Sequence, residues 1–273
     1  HVSLAVDPIE KKPLYHVYPG AYALSSALYG CNFRCTFCQN CTISQPELYS
    51  SLRTRYISPR ELADDLVSGG YRVAAFTYSE PTVWQDYMVD AARAIRDRGG
   101  TSVMVTNGYF TEEALERFLP VIDAFNIDLK GSDRFYRRLC GGRVEPILRN
   151  IRSLAAMWND GGQSAGGQPA GGQSAGGRPV TPILEVTTML LEGEHTEQEI
   201  VEIGRTLDEA GVRVWHLSAF HPAYKMQEHP PTSPAFLDRM YARLKRETSI
   251  PHIYAFSRKH AEYQQTFCSH CGT

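Results

Sequence analysis

The stretch Cys31-Asn-Phe-Arg-Cys35-Thr-Phe-Cys38 places three cysteines in one short segment, directly after the apolar run 21–29. Thiolates are the protein ligands of iron–sulfur clusters, and a cubane with four irons needs four ligands. Three protein ligands therefore leave one iron open to another molecule. The spacing predicts a [4Fe–4S] cluster that takes part in chemistry rather than only carrying electrons.

Other interpretations of these cysteines fit less well. Cys35, Cys38 and Cys41 also have the spacing that begins a bacterial ferredoxin run, but that run needs a further cysteine where Gln45 stands. A structural zinc site usually takes two separated pairs of ligands. Seven cysteines in 273 residues are sparse and odd in number, which argues against a disulfide framework. Cys41 is interpreted as a small buried residue, with a ligand or redox role left open.

The composition is that of an enzyme of moderate size. With 273 residues and 42% hydrophobic content, the chain can form one catalytic domain over residues 1–273. A net charge of −2 gives no electrostatic reason to expect nucleic acid or an anionic membrane as a partner. No apolar run could span a bilayer and no signal peptide is visible, so we expect a cytoplasmic protein with reduced thiols. Because residue 1 is His rather than Met, we expect a fragment or a processed chain.

Apolar, β-rich runs alternate with helix-like segments along the chain. The predicted strands are Leu24–Tyr29, Val73–Tyr78, Ser102–Thr106, Ala124–Leu129, Leu184–Leu190 and Val212–Ala219, with a further candidate at His252–Phe256. The predicted helices are Pro59–Ser68, Val83–Arg98, Glu112–Leu119, Glu145–Trp158, Glu197–Ala210 and Pro234–Glu247. Ser58 and Thr196 each begin a helix with a capping-box pattern. Repeated βα units with apolar strands predict an α/β fold with a parallel sheet.

Residues 161–180 interrupt this alternation with four Gly-rich pentapeptides, GGQSA, GGQPA, GGQSA and GGRPV. Such a composition predicts a flexible, tolerated surface insert. Because it joins a helix to the next strand, we expect it at the face opposite the carboxyl ends of the strands.

Polar residues follow several predicted strands, at the edge where parallel barrels carry their functional groups. They are Glu80 in Tyr78-Ser79-Glu80-Pro81, Asn107 in Thr106-Asn107-Gly108, the pair Asp128 and Lys130, and His221 in Phe220-His221-Pro222. Alternation along a strand places Asp128 and Lys130 on one face. Taken singly, each of these residues could instead have a purely structural role. Glu80 could cap a helix, Asn107 could belong to an ordinary turn, Asp128 and Lys130 could form an exposed salt bridge, and His221 could be structural.

Together, the cysteine loop and these segments resemble the radical S-adenosylmethionine superfamily, which carries a CxxxCxxC motif after the first barrel strand. The resemblance implies a partial (β/α)6 TIM-like barrel with parallel strands. It also implies two cofactors, a [4Fe–4S] cluster held by Cys31, Cys35 and Cys38, and S-adenosyl-L-methionine bound to the open iron. In that superfamily, reductive cleavage of the sulfonium gives a 5'-deoxyadenosyl radical that abstracts hydrogen from a substrate.

The resemblance also implies contacts to S-adenosylmethionine. Tyr78-Ser79-Glu80-Pro81 is similar to the GGEP motif that meets its amino group, with Tyr78 and Ser79 in place of both glycines. The DLK segment of glycyl-radical-enzyme activases, whose lysine approaches the methionyl carboxylate, matches Asp128 to Lys130. The implied cofactor-binding set is Phe37, near adenine, with Ser79, Glu80, Asn107, Asp128, Lys130 and His221.

A narrower resemblance is to the radical S-adenosylmethionine member of the AmmeMemoRadiSam system, which is itself similar to pyruvate formate-lyase activating enzymes. It is carried by residues 3–16, CNFRCTFCQN at 31–40 with Ile43-Ser44-Gln45, Phe135-Tyr136 with Cys140-Gly141, and Phe220-His221-Pro222. Members of that family usually have Pro where Thr36 stands and Trp where Cys41 stands.

The chain ends in a short tail, residues 268–273, with the motif Cys268-Ser-His-Cys271. Two thiolates cannot complete a zinc or cluster site. Metal binding there would need His270, another chain or cysteines upstream of His1, and a reduced pair in a frayed terminus is the alternative.

Two classes of function follow. The first is a radical enzyme, similar to the activating enzymes, whose substrate is a protein glycine, another macromolecule or a small molecule and whose partner is an electron donor such as flavodoxin or ferredoxin. The second is a non-catalytic iron–sulfur electron carrier or scaffold. The polar residues at the strand ends favour the first, because an electron carrier needs no groups that bind methionine.

Overall fold

The computed structural model describes residues 1–51, 54–161 and 181–256, together with Gln265. Residues 162–180 of the predicted insert and the Cys268 and Cys271 motif lie outside the described residues. The flanking residues Gly161 and Thr181 are close neighbours before the strand that begins at Ile183.

One sheet contains the eight strands found in the described ranges, and its spatial order is the chain order. The strands are β1 (Ser3–Pro8), β2 (Tyr22–Ala27), β3 (Val73–Phe76), β4 (Thr101–Thr106), β5 (Ala124–Asp128), β6 (Ile183–Leu190), β7 (Val214–Ala219) and β8 (His252–Ala255). β1 is antiparallel to β2, and every later neighbour pair is parallel. The sheet is open, with β1 and β8 as its edges over the residues described. The predicted α/β partial barrel with parallel strands is confirmed.

Helices connect the parallel strands, as the alternation predicts. They are α1 (Cys41–Ser44), α2 (Pro59–Ser68), α3 (Gln85–Arg96), α4 (Glu112–Phe118), α5 (Asp133–Phe135), α6 (Glu145–Asp160), α7 (Glu197–Glu209) and α8 (Pro234–Glu247). Ser58 and Thr196 form the two predicted capping boxes at the starts of α2 and α7. Their side chains accept from the third backbone N–H of the helix, which explains why these two starts were readable from the sequence.

The sheet differs from the predicted six units at both edges. The candidate strand at His252 is present as β8, so the described residues contain seven parallel strands. β1 was not predicted as a strand, and it pairs with β2 along its whole length. Leu4 and Val6 on β1 are 38% and 42% exposed, so this edge strand lacks the buried apolar run that marks the central strands.

A buried carboxylate anchors the N-terminal segment near the amino ends of the strands. Glu185 of β6 is fully buried and accepts hydrogen bonds from the backbone N–H groups of Tyr15 (3.0 Å) and His16 (2.8 Å). The ring of His216 on β7 lies 2.5 Å from the same carboxylate. Buried polar groups are usually hydrogen-bonded, and these bonds hold the backbone of Tyr15 and His16 against the sheet.

His252, at the start of β8, is expected to make the folded protein less stable at acid pH. Burial lowers its pKa to about 4, with further lowering by His16, Arg213 and Lys245 and an opposing effect of Glu185. A histidine with a lowered pKa contributes stability that is complete above its ordinary pKa, near 6.5, and is lost as pH falls from there to 4. We expect the free energy of unfolding to fall by about 1–2 kcal/mol over this range through His252, allowing for solvent screening.

The measurement is the urea midpoint of wild type and His252→Phe at pH 7.5 and at pH 4.5. The variant keeps a ring beside His16, whose centroid lies 4.7 Å from that of His252, but cannot take up a proton. Its midpoint should therefore fall less on acidification. An equal fall in both proteins would contradict the assignment.

Candidate active site

One cavity of about 940 Å³ lies at the carboxyl ends of the strands. All of the site residues implied by the sequence line it, and they reach it from the loops after β2, β3, β4, β5 and β7. They are Cys31, Cys35, Phe37, Cys38, Ser79, Glu80, Asn107, Asp128, Lys130 and His221. The fold therefore brings residues that are far apart in the sequence to one place.

The cysteine loop is held in place by backbone hydrogen bonds on both sides. Arg34 N–H donates to the Cys140 carbonyl (2.8 Å), and Thr36 N–H donates to the Leu139 carbonyl (2.9 Å). On the other side, Lys225 N–H donates to the Thr36 carbonyl (3.0 Å). The loop lies between two segments that follow β5 and β7, so its shape depends on the tertiary fold.

The sulfurs of Cys31 and Cys38 each have a hydrogen-bonding group close by. The N–H of Phe33 donates to Cys31 Sγ at 3.4 Å, and the hydroxyl of Ser44 lies 3.2 Å from Cys38 Sγ. Ser44 is itself buried in α1 and was not singled out as a site residue by the sequence. Such donors stabilise negative charge on sulfur.

The surroundings of Cys31, Cys35 and Cys38 favour the neutral thiol. Burial raises the pKa of Cys31 to about 12 and also raises the pKa of Cys38. The pKa of Cys35 is raised by a hydrogen bond with Cys140 and then by burial. The positive charge of Lys130 lowers the pKa of all three thiols. Because a metal centre takes thiolates, its binding must release these protons.

Glu80 connects three strand ends. Its carboxylate accepts from Thr82 N–H (3.1 Å), Thr82 Oγ1 (2.5 Å), Thr106 Oγ1 (2.7 Å) and Asn107 N–H (2.8 Å). Its own N–H donates to the Gly30 carbonyl after β2 (2.9 Å). Burial raises the pKa of Glu80, which these hydrogen bonds oppose. Much of the carboxylate's hydrogen-bonding capacity is therefore used within the protein, a fact that the motif alone could not show.

Tyr78 and Ser79, which stand where the GGEP motif has two glycines, form a turn with an unusual backbone. Tyr78 has φ +69°, and Ser79 N–H donates to the Thr77 carbonyl at 2.9 Å, two residues back. This pattern is a γ-turn with positive φ, which is strained for a residue with a side chain. The Tyr78 hydroxyl bonds to Asp7 and accepts from Lys12 Nζ at 2.9 Å. Asp7 and Lys12 of the N-terminal segment thus hold the turn in place.

Ser79 and Phe37 are both packed within the protein at the cavity wall. The Ser79 hydroxyl donates to the Leu28 carbonyl (2.5 Å) and accepts from the Trp84 indole N–H (3.1 Å). Phe37 is 5% exposed, and its ring centroid lies 5.6 Å from that of Phe135. Neither side chain is free to move far.

Asp128 and Lys130 meet on one face, as strand alternation requires. Lys130 Nζ lies 2.7 Å from Asp128 Oδ2, and the lysine side chain is 17% exposed. Burial alone would lower the pKa of Lys130, but the charge of Asp128 and smaller contributions raise it well above its ordinary value. Lys130 therefore stays positively charged in the cavity wall.

His195 supports Lys130 from behind and was not identified from the sequence. Its Nδ1 accepts from Leu191 N–H (3.0 Å), so its Nε2 carries the proton and donates to the Lys130 carbonyl (2.9 Å). Its ring stacks on Phe135 with centroids 4.4 Å apart. The contact joins residues 65 positions apart, and no local pattern signals it.

Asn107 and His221 occupy different environments. The Asn107 amide donates to Asn32 Oδ1 at 2.6 Å in the cysteine loop, and its Oδ1 accepts from Tyr109 N–H at 2.8 Å. His221 is exposed, next to the end of β7. Asn107 thus connects the β4 turn to the cysteine loop, whereas His221 stands at the mouth of the cavity.

The turn at Asn107 depends on Gly108, which has φ +72°. A Cβ at this position would lie 2.8 Å from Ile127 Cγ2 and 3.1 Å from Ile147 Cγ2. Gly108→Ala combines backbone strain with overpacking, and we expect a loss of about 2–4 kcal/mol. Gly99→Ala is the matched control, because Gly99 has φ +77° with no atom within 4 Å of the added Cβ. Thermal midpoints that fall equally in both variants would exclude the packing contribution.

Comparison with known proteins decides the family. The model of the radical SAM superfamily matches residues 26–162, just over half of the chain. The chain belongs to the radical SAM superfamily. An uncharacterized protein of Methanocaldococcus jannaschii is 34% identical over 277 residues, which cover 99% of this chain and 74% of the relative.

Several solved structures share the fold. Streptococcus suis SuiB bound to precursor peptide SuiA matches with a TM-score of 0.61 and 12% identity, over 93% of this chain and 53% of SuiB. SuiB bound to S-adenosylmethionine gives 0.60. A domain of a pyruvate-formate lyase-activating enzyme from Bacteroides vulgatus gives 0.51 with 16% identity, over 66% of this chain and 96% of that domain. This chain thus spans about half the length of SuiB and is similar to the activating-enzyme domain.

As a radical SAM enzyme, the protein uses a [4Fe–4S] cluster and S-adenosylmethionine. The donor set fits the cluster, because three soft thiol side chains line one cavity. Among the described residues, no three His, Cys, Asp or Glu side chains converge on a single metal ion. A cubane does not require that convergence, since each thiolate binds a different iron.

No helix in the described ranges is both long enough and apolar enough to cross a bilayer.

Proposed function

We propose that Cys31, Cys35 and Cys38 hold the [4Fe–4S] cluster of this radical SAM enzyme and that the strand-end residues bind S-adenosylmethionine beside it. The observation that carries the proposal is the single cavity lined by all three thiols and by Glu80 and Lys130. When bound, the two cofactors supply one-electron cleavage of a sulfonium and hydrogen abstraction from a substrate. The residues of the chain bind, orient and shield them.

Opposite charges in the cavity match the ends of a methionyl group. Lys130 presents a partly buried positive charge for the carboxylate. Asp128 and Glu80 supply negative charge toward the ammonium group, although Glu80 acts largely through the loops that it joins. Asn107 and Ser79 fix the same two loops, and Phe37 offers a ring at the cavity wall for adenine. His221, at the mouth, is proposed to contact cofactor or substrate.

The substrate is proposed to lie against the part of the cavity wall formed by β6, β7 and the segment that follows β7. That wall contains Met189, Ser218, Pro231 and Leu237, none of which is assigned to the cofactor. Its mixture of apolar and small groups suits a peptide or protein segment, including the glycine of a glycyl radical enzyme, and a small molecule is the alternative. SuiB was solved with a bound precursor peptide; for this chain a peptide substrate is our proposal.

The proposal requires an external electron donor, for which flavodoxin or ferredoxin is suitable. A cytoplasmic location, where reduced thiols persist, also stays a prediction.

Low-temperature electron paramagnetic resonance (EPR) tests the proposed function. The chain is reconstituted anaerobically with iron and sulfide, reduced with dithionite and recorded with and without S-adenosylmethionine. We expect a cubane signal that shifts when the molecule is added, because it binds the open iron. A cubane signal that does not respond would favour the electron-carrier alternative, and the absence of any cubane would refute the ligand assignment.

A further inference from the structure

Ser44, the last residue of α1, places a buried hydroxyl beside one of the proposed cluster ligands. Its side chain is 2% exposed, and its Oγ lies 3.2 Å from Cys38 Sγ. Both residues line the cavity. While Cys38 is a free thiol, either atom of the pair could be the donor. The direction of this hydrogen bond therefore depends on the other contacts of the hydroxyl.

The side chain of Gln45 determines that direction. It is 1% exposed, and its Nε2 donates to Ser44 Oγ at 3.1 Å and to the Phe33 carbonyl at 3.4 Å. A carbonyl oxygen can only accept, so the contact with Phe33 identifies this end of the amide as the N–H end. Ser44 Oγ thus accepts from Gln45. A hydroxyl has one proton, and that proton is left for the Cys38 sulfur.

Backbone hydrogen bonds hold these two residues against the cysteine loop. Gly30 N–H, directly before Cys31, donates to the Ile43 carbonyl at 3.0 Å. Gln45 N–H donates to the Cys41 carbonyl at 2.9 Å. The segment that follows the three cysteines is therefore tied back to the residue that precedes them, and the position of the hydroxyl is fixed by the fold.

We propose that Ser44 is a positioning residue that raises the reduction potential of the cluster through a hydrogen bond to the Cys38 sulfur, with Gln45 orienting its hydroxyl. A thiolate bound to iron carries no proton, so it can only accept. Hydrogen bonds to the sulfurs of a cluster stabilise its reduced, more negative state. The inference rests on the proposed function, because it takes Cys38 as a ligand.

The test is an EPR-monitored redox titration of the anaerobically reconstituted full chain, without S-adenosylmethionine. For Ser44→Ala we expect the ratio of reduced to oxidised cluster at a fixed potential to fall about three- to tenfold, the range for one hydrogen bond. This corresponds to about 28–59 mV toward more negative potential, at 59 mV per tenfold for one electron. Ser44→Thr keeps the hydroxyl and should stay within about 1.5-fold of wild type.

A second variant tests the orienting role of Gln45 and keeps Ser44 in place. Gln45→Met has a similar length but no N–H, so the Ser44 hydroxyl is free to rotate away from the sulfur. We expect a fall of about two- to fivefold in the same ratio. If Ser44→Ala binds less iron than wild type, Gln45→Met decides the inference.

Ser102→Ala is the matched control for removing a buried hydroxyl. Ser102, near the amino end of β4, is 1% exposed, and its Oγ has no hydrogen-bond partner among the described residues. Its potential should stay within about 1.5-fold of wild type in the same ratio.

The outcomes separate the inference from the proposed function. An intact cluster with wild-type potential in Ser44→Ala would overturn the inference alone, as would equal shifts in Ser44→Thr and Ser44→Ala, which would show that packing and not the hydroxyl matters. A wild-type potential in Gln45→Met would overturn the orienting role of Gln45. A wild-type chain without any cubane signal would overturn the proposed function as well.

Discussion

Replacing Cys31, Cys35 or Cys38 by alanine should abolish the cluster and with it the cleavage of S-adenosylmethionine. Each proposed ligand holds one iron, and a cubane with two protein ligands and two open irons is not expected to persist. After anaerobic reconstitution, iron should fall from about four per chain in wild type to well below one. The reductive release of 5'-deoxyadenosine should fall more than about 1,000-fold, because the protein alone supplies no electron to the sulfonium.

Cys41→Ala is the matched control. Cys41 lies three residues after Cys38, at the start of α1, and belongs to the alternative ferredoxin-like triplet with Cys35 and Cys38. We expect this variant to keep wild-type iron content and cleavage. Retention of the cluster by Cys31→Ala together with its loss in Cys41→Ala would instead favour that alternative triplet.

The sequence predicted which residues meet at one cavity where their positions follow from the strands. Glu80, Asn107 and Lys130 are separated by 27 and 23 residues in the chain, yet they line one cavity because each follows a parallel strand. Parallel strands place their carboxyl ends at one edge, so knowledge of the strands was enough to bring these residues together. The cysteine loop needed only its local spacing.

Features that depend on tertiary contacts were not predictable. The hydrogen bonds of Glu80 to Thr106 and Asn107, and the support of Lys130 by His195, join residues from different βα units. Cys140 was recognised only as part of a family-like segment, although its carbonyl accepts a hydrogen bond from Arg34 N–H across more than 100 positions. Such pairs follow from the register of the sheet and the path of its loops, which short motifs do not encode.

The ends of the predicted strands show a related effect. The runs Val73–Tyr78 and Ala124–Leu129 extend past the observed ends of β3 and β5. The extra residues continue the apolar or β-branched pattern, but their backbone leaves the sheet to form the γ-turn at Tyr78 and the loop after Asp128. Strand propensity therefore overestimates length at the edge where the active site needs irregular backbone.

Lys130→Met should weaken binding of S-adenosylmethionine about 10- to 100-fold, the range expected for loss of a charge-assisted hydrogen bond. The variant removes the partly buried positive charge and also leaves the Asp128 carboxylate, 2.7 Å away in wild type, to repel the methionyl carboxylate. Equilibrium dialysis of the cluster-loaded chain measures the dissociation constant. Iron content must be matched between samples, because Lys130 also acts on the three thiols.

The chain offers a matched lysine at the same cavity. Lys11 also lines it but is 67% exposed and pairs with Asp7, so Lys11→Met should change the dissociation constant less than about threefold. The double variant Asp128→Asn with Lys130→Met should recover part of the lost affinity, because the uncompensated carboxylate is gone. If Lys130→Met binds as wild type does, or if both lysine variants lose affinity equally, Lys130 is not the carboxylate-binding residue. A loss confined to Lys130→Met and partly reversed in the double variant would place the methionyl group beside the Asp128 and Lys130 pair.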